Sequence, residues 1–173
     1  AGRKPMPDDL AAQMPILKDV LRLMNIMICE KAGYEADDIL GTLSHSANAS
    51  GNSCVIATGD RDSLQLVRDN VNVLLASTKM GKATTVLYDK EKLFEEYGVE
   101  PKGMIEIKAL MGDSSDNIPG VAGVGPKTAK DLLAKFGSLD GIYENIEDAS
   151  IRPKLREKLV NDKEKAYLSY DLA

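Results

Sequence analysis

Histidine is nearly absent from this 173-residue chain and cysteine is scarce: His45 stands alone, and Cys29 and Cys54 are the two thiols. One histidine, placed mid-helix by its neighbours and away from every group of acids, cannot serve a Ser/His/Asp relay, so His45 is expected to be an ordinary surface or satisfied residue. The cysteines lie apart in apolar stretches without C-x-x-C spacing or a neighbouring histidine, which points to buried reduced thiols rather than a disulfide or a zinc site. Long apolar runs are missing too. The uncharged, largely apolar stretch Leu23–Cys29 is far short of the roughly 20 residues a membrane span needs. Ala1-Gly2-Arg3-Lys4-Pro5 has no apolar segment behind its basic pair; no signal peptide is expected, no membrane partner, and a cytosolic protein is the default. What the chain does have, 43% hydrophobic and 28% charged residues, is the make-up of a folded globular protein of one domain or one and a half small ones.

The net charge is −5, from 22 Lys and Arg against 27 Asp and Glu, and taken alone it argues against nucleic acid as a partner. The distribution reverses that argument. Seven acids fall in three tight clusters, Glu35/Asp37/Asp38, Asp60/Asp62 and Asp113/Asp116, and setting those seven aside leaves 20 acids against 22 bases. If the seven surround metal ions, the remaining surface is slightly basic.

Along the chain, Asp8-Asp9 followed by Leu10, Met14, Leu17, Val20, Leu21 and Met24 has the spacing of an amphipathic helix with acids in its first turn. Asn25–Cys29 reads as a short buried strand, Ala36–Ala49 as a second helix ended by Gly51-Asn52, and Ser53–Thr58 as the clearest strand, with Asp60 and Asp62 at its C-terminal end. A short helix through Arg68, a strand over Val71–Leu75 and a hairpin or extended excursion over Lys79–Tyr88 around Gly81 complete this half. Strands alternating with helices predict an α/β fold, a mainly parallel sheet flanked by helices, with ligand sites at the C-terminal strand ends. After Asp89 the pattern is helical only: Asp89–Tyr97, Pro101–Met111, Lys127–Phe136, Ser138–Asn145 and a Lys/Glu-rich stretch from Ile151 onward. The expected division is residues 1–100, an α/β part bearing carboxylates, and residues 101–173, a helical part.

Carboxylate oxygens are hard ligands that suit Mg²⁺ and Mn²⁺. Asp60 and Asp62 alone would fit a solvated loop equally well, and Glu35, Asp37 and Asp38 at a helix start would fit a favourable interaction with the helix dipole. Asp113 and Asp116 are three residues apart, so a helical turn would aim both the same way. Three such clusters repel strongly when brought together unless cations neutralise them. Two divalent ions about 4 Å apart, held by shared carboxylates, solve that problem and can drive phosphodiester hydrolysis.

The segment Ile118–Ala129, IPGVAGVGPKTA, has three glycines at spacings that permit a tight turn and Pro126 ready for a first helical turn. It reads as helix, hairpin, helix. Gly120, Val121, Gly123, Val124 and Gly125 would let a DNA backbone approach, while Lys127, Thr128 and Lys130 at the start of the second helix would supply amides and charge for phosphate. Such contacts read shape rather than sequence. The spacing fits neither a Walker A loop nor the G-x-G-x-x-G fingerprint.

GYEADDIL (Gly33–Leu40), TGDRDSLQLV (Thr58–Val67) and MGDSSDNIPGVAGVGPKTA (Met111–Ala129) together resemble the 5′-nuclease domain of bacterial DNA polymerase I, of the flap endonuclease superfamily, in family order and over essentially the whole chain. The resemblance implies a PIN-like 5′-nuclease core joined to a helix-hairpin-helix-type duplex clamp. It further implies a structure-specific 5′-3′ exonuclease or flap endonuclease acting on DNA with a 5′ flap or nick and on RNA primers in replication and repair, in the bacterial nucleoid. The implied metal ligands are Glu35, Asp37, Asp38, Asp60, Asp62, Asp113 and Asp116, with Asp37, Asp60, Asp62 and Arg3 the catalytic candidates. The implied cofactors are two divalent ions, Mg²⁺ or Mn²⁺, and K⁺ held by hairpin carbonyls within Gly120–Lys127; no small-molecule cofactor is expected. Relatives open with a strand bearing a ligand Asp, a second Asp after another strand, and an arch with Lys and Arg. Here those N-terminal strands are missing, Arg3 matches the tail of the arch, and a polymerase domain following Ala173 is the family expectation. Two alternatives stand beside this reading. A haloacid-dehalogenase-like phosphatase would use Asp-x-Asp after a strand, but Thr58-Gly59 intervene and Asp113 and Asp116 are one residue too close. A DNA-binding module without catalysis would gain nothing from a carboxylate pocket.

Overall fold

The computed structural model describes residues 5–79 and 81–173. Two compact units divide at Leu43/Ser44, within the second helix.

The first unit holds α1 (Asp8–Leu23) and the opening turns of α2 (Ala36–Ala49). Asp8 and Asp9 sit in the first turn of α1 and Arg22 in its last, the arrangement the helix dipole favours. The expected strand Asn25–Cys29 does not form. Asn25 takes a left-handed φ of 58°, its amide bonds Arg22 O at 2.9 Å and the Ile26 amide bonds Leu21 O at 2.9 Å. That pair of bonds is a Schellman motif, so the first residues of the supposed strand cap the preceding helix instead. An ion pair between Lys18 and Glu30 ties the following segment back to α1. Cys29, expected to be buried, is therefore exposed, while Cys54 is half-buried, and both thiols are free. Arg3, the catalytic candidate of the arch motif, lies outside the described residues.

The second unit contains the sheet. α2 ends in another Schellman arrangement, with Gly51 at φ 70° and the Asn52 amide on Ala47 O. β1 (Cys54–Thr58) pairs in parallel with β2 (Val71–Lys79), Cys54 opposite Val71 through Thr58 opposite Leu75. β2 then pairs antiparallel with β3 (Lys82–Tyr88), Val73 opposite Tyr88. The α/β class stands, with the three-stranded sheet in the order β1-β2-β3 mixed rather than mainly parallel, because the Gly81 excursion folds back as a hairpin. Alternate β2 residues Val71, Val73 and Leu75 are buried, as are Ile56, Leu64, Val67 and Tyr88, the period of two that a half-buried strand requires.

The rest is helical: α3 (Lys90–Tyr97), α4 (Gly103–Met111), α5 (Pro126–Phe136), α6 (Leu139–Glu144), α7 (Pro153–Asn161) and α8 (Lys163–Leu172). Asp89 caps α3 by accepting the Lys92 amide, and Ser138 caps α6 by accepting the Gly141 amide. α4 packs against α5, α8 and the 3₁₀ helix Asp62–Leu66. Ile107, Leu110, Leu133, Ile142 and Leu159 are buried between these helices, each contributing about 1.5–3 kcal/mol of transfer free energy. α4 is thus the element that connects the sheet's C-terminal edge to the helical core. Among the described residues no helix is long and apolar enough to cross a membrane.

Candidate metal centre and nucleic-acid interface

β1 ends at Thr58, and its hydroxyl accepts the Asp60 amide at 3.0 Å. Asp60 Oδ1 in turn accepts the Asp62 amide at 3.0 Å. Two short side chains thereby fold the strand end into a turn that starts the 3₁₀ helix with Asp62, anchored by the fully buried Leu64.

Asp113 and Asp116 come from the other side. Gly112 ends α4 with φ 71° and ψ 175°, and a Cβ there would lie 2.7 Å from Ile118 O, so only glycine fits the exit. Asp113 and Ile118 exchange both backbone hydrogen bonds, at 2.9 and 2.8 Å. The acids therefore sit on a closed loop and not on the helical turn the i, i+3 spacing suggested; Asn117 at φ 61° makes the loop's return. Asp113 Oδ1 accepts the Ser115 hydroxyl and, at 2.8 Å, the Ser115 amide.

One carboxylate oxygen from each of Asp62, Asp113 and Asp116 lies within 4.8 Å of the others. At that distance and an effective dielectric of about 20, each pair repels by about 3.5 kcal/mol. Lys108, in the last turn of α4, offsets this: its Nζ is 2.6 Å from Asp62 Oδ2, 3.1 Å from Asp116 Oδ2 and 3.3 Å from Asp113 Oδ2. Burial of the ammonium opposes its charge, but hydrogen bonds to Asp62 and Asp116 outweigh that and hold its pKa above the ordinary lysine value. The Ser115 hydroxyl holds the Asp113 carboxyl below the usual range; partial burial opposes it, while the Ser115 amide and Lys108 reinforce it. Sequence reasoning missed Lys108. A lysine in a last helical turn looks like a complement to the helix dipole, and the one signal was its place five residues ahead of Asp113.

Asp60 is exposed and engaged with the Asp62 amide; it is not one of the three converging acids. In the first unit, Asp38 Oδ2 accepts the Glu35 amide at 2.9 Å, the return half of a capping box, a local role distinct from the dipole interaction weighed from the sequence. Glu35, Asp37 and Asp38 are all exposed. His45 is a surface residue whose Nδ1 lies 2.8 Å from Arg68 Nη1.

The glycine-rich hairpin is built into the helical core. Val121 and Val124 are 2% and 5% exposed, so whatever they give to a ligand they give through backbone. The Gly120 amide donates to Ser169 Oγ at 2.9 Å and the Ala122 amide to Asp162 Oδ2 at 2.9 Å, leaving those two groups spent on holding the turn. Gly123 and Gly125 are exposed. α5 starts at Pro126 with no side-chain cap, so the Lys127 and Thr128 amides have no acceptor within the helix. Lys127 is exposed. Lys130 is committed elsewhere, donating to Glu96 O at 3.0 Å and lying 4.4 Å from the Tyr97 ring centroid. A cavity of about 330 Å³ runs from Asp62, Lys108 and Asp113 past Arg61 and Tyr97 to Pro126 and Lys130, joining the acids to the start of α5.

This arrangement has relatives. Residues 1–98 match the family described as 5′-3′ exonuclease, N-terminal resolvase-like domain, and residues 99–173 match 5′-3′ exonuclease, C-terminal SAM fold. The chain is 47% identical to the DNA polymerase I of Caldicellulosiruptor bescii over 173 residues, all of this chain and 20% of that protein. It is 44% identical to the DNA polymerase I of Bacillus subtilis strain 168 over 172 residues, 99% of this chain and 19% of that protein. The chain thus spans about a fifth of the length of these curated relatives. Among solved structures, the bacteriophage T5 D15 flap endonuclease in a pseudo-enzyme-product complex with DNA and metal ions aligns with a TM-score of 0.73 at 23% identity, over 96% of this chain and 61% of that one. The catalytic core of Rad2 in complex with DNA substrate aligns with a TM-score of 0.62 at 22% identity, over 96% and 54%. At those identities the likeness is one of fold. The two family matches meet at residue 98/99 and leave no part of the sequence outside them, and on that ground the chain belongs to the 5′-3′ exonuclease family.

Proposed function

We propose that this chain carries the hydrolytic centre of a structure-specific 5′-3′ nuclease that cuts DNA or RNA-primer strands at flaps and nicks. The observation that carries the reading is the convergence of Asp62 with Asp113 and Asp116 from separate elements on one point already occupied by a cation, the Lys108 ammonium. The donors fit a divalent ion such as Mg²⁺ or Mn²⁺, being carboxylate oxygens within mutual reach. Asp60 and the helix-start acids Glu35, Asp37 and Asp38 are proposed as further ligands of a two-ion centre. Bound there, such ions supply neutralisation of a phosphodiester's charge and a hydroxide at neutral pH.

The chain's own residues do the rest. Asp60 fixes the turn that aims Asp62, and Ser115 fixes the carboxylate of Asp113. The exposed backbone of Gly123 and Gly125, the open Lys127 and Thr128 amides and the Lys127 ammonium are placed to hold a duplex backbone, with K⁺ a proposed occupant of the hairpin carbonyls. Residues 101–173 are on this reading the duplex-gripping part and residues 1–100 the carboxylate-bearing part. A phosphatase reading gains no support, since it leaves the hairpin without a role.

Single-turnover cleavage of a 5′-flap duplex in Mg²⁺ tests the proposal. Asp60→Asn and Asp62→Asn are each expected to lower the rate by at least about a hundredfold while duplex affinity, measured in Ca²⁺, stays near wild type. Undiminished cleavage by Asp62→Asn would remove the three-carboxylate cluster from the chemistry.

A further inference from the structure

We propose that Lys108 is an internal stand-in for the divalent cation: it holds the seat among Asp62, Asp113 and Asp116 until an ion displaces it, and so sets how tightly the ion binds. The inference rests on the metal-site reading above. Lys108 Nζ touches one oxygen of each acid, at 2.6, 3.3 and 3.1 Å. An ammonium has three N–H donors and no acceptor; two are given to Asp62 and Asp116, and Asp113 faces the same charge at ion-pair distance. One carboxylate oxygen from each acid lies within 4.8 Å of the others, a space that an ammonium in contact with all three acids already fills. Entry of an ion therefore requires the ammonium to leave, and the free energy of its three contacts is subtracted from that of binding the ion.

Departure is structurally simple. The α4 backbone is fixed by the buried Ile107, Ala109 and Leu110 on either side of Lys108, so the motion is confined to the four-carbon stem. Lys108 already lines the 330 Å³ cavity whose walls include Met104, Met111 and Tyr97, apolar surface on which the stem can lie. Lys108 is accordingly a positioning residue that acts through the ion. In the absence of the ion it keeps three mutually repelling carboxylates at ligand distance.

Binding of Mn²⁺ without DNA, followed by the paramagnetic signal of the free ion, reads this directly. Lys108→Met keeps the stem and removes the charge; it is expected to bind Mn²⁺ about tenfold or more tightly than wild type. Lys108→Arg, which keeps the charge, is expected to remain within about threefold of wild type. In ¹³C-lysine-labelled wild-type protein, the Cε resonance of Lys108, assigned by its loss in Lys108→Arg, is expected to shift on saturation with Mg²⁺, a test that holds even where the Met variant does not fold. Equal or weaker Mn²⁺ binding by Lys108→Met, or a Cε resonance unmoved by Mg²⁺, overturns the role of Lys108. Failure of wild type and both variants to bind Mn²⁺ overturns the metal-site reading itself.

Discussion

Two glycines fix the local geometry on which the rest depends. Gly112 and Gly120 pack backbone to backbone: a Cβ on Gly120, whose φ is 59°, would sit 2.2 Å from the Gly112 nitrogen. Gly120→Ala is expected to destabilise the protein by about 4 kcal/mol or more, since that atom is backbone and cannot move aside as a flexible side chain would. Gly125→Ala, at φ −102° with nothing within 4 Å of its Cβ, is expected to stay within about 0.5 kcal/mol of wild type. Urea unfolding of the two variants side by side checks the contrast. At this scale the sequence disclosed the acids but not their arrangement. Asp62 and Asp113 were recognisable from motif and spacing, whereas Lys108 meets Asp62 across 46 residues of chain, a contact no local pattern encodes. Nor does an i, i+3 pair reveal that a positive-φ glycine has already ended the helix beneath it.

Elements were legible where a cap or a period declared them. α2 follows from its acidic start and Gly51, and the inward Val71, Val73 and Leu75 mark β2. The 25–29 segment misled because apolar residues after a helix look like a strand, while the deciding fact is Asn25 in the left-handed region. The hairpin between α4 and α5 shows how remote helices stabilise a turn. α8 supplies Ser169, which takes the Gly120 amide and is itself fully buried. Ser169→Ala leaves that amide without an acceptor and is expected to cost about 1–3 kcal/mol. Asp162, between α7 and α8, accepts the Lys165 ammonium and the Ala122 amide, in that order the causes that hold its carboxyl below the usual range. A carboxyl depressed by folding stabilises above its unfolded pKa and loses that contribution as pH falls. Protection of the Ala122 amide, its exchange rate compared with the intrinsic rate at each pH, should therefore be high at neutral pH and fall as pH drops past about 3.9 toward the lower folded value, while Asp162→Asn removes that change in protection.

For the molecule as a whole, a net charge of −5 and a duplex-binding role are compatible only if the acids are concentrated at one point rather than spread over the DNA-facing surface. Gathering them at Asp62, Asp113 and Asp116 around Lys108 does part of this. Lys127→Ala is then expected to weaken binding to duplexes of any sequence alike and to lower the salt slope by about one ion, read from affinities across a KCl series. A change in sequence preference, or an unchanged slope, would take Lys127 out of the interface. The loop that bears Asp113 and Asp116 is closed by the Asp113–Ile118 pair and passes within two residues into the pinned Gly120. On the proposed reading, grip and scission would be the two ends of one short piece of backbone. On that reading a duplex seated on the hairpin would present its strand to the acids at a fixed remove, making the protein a ruler: the bond cut would be chosen by counting from the clamp, and lengthening the loop between Asp116 and Ile118 is expected to blur the count before it abolishes the cut.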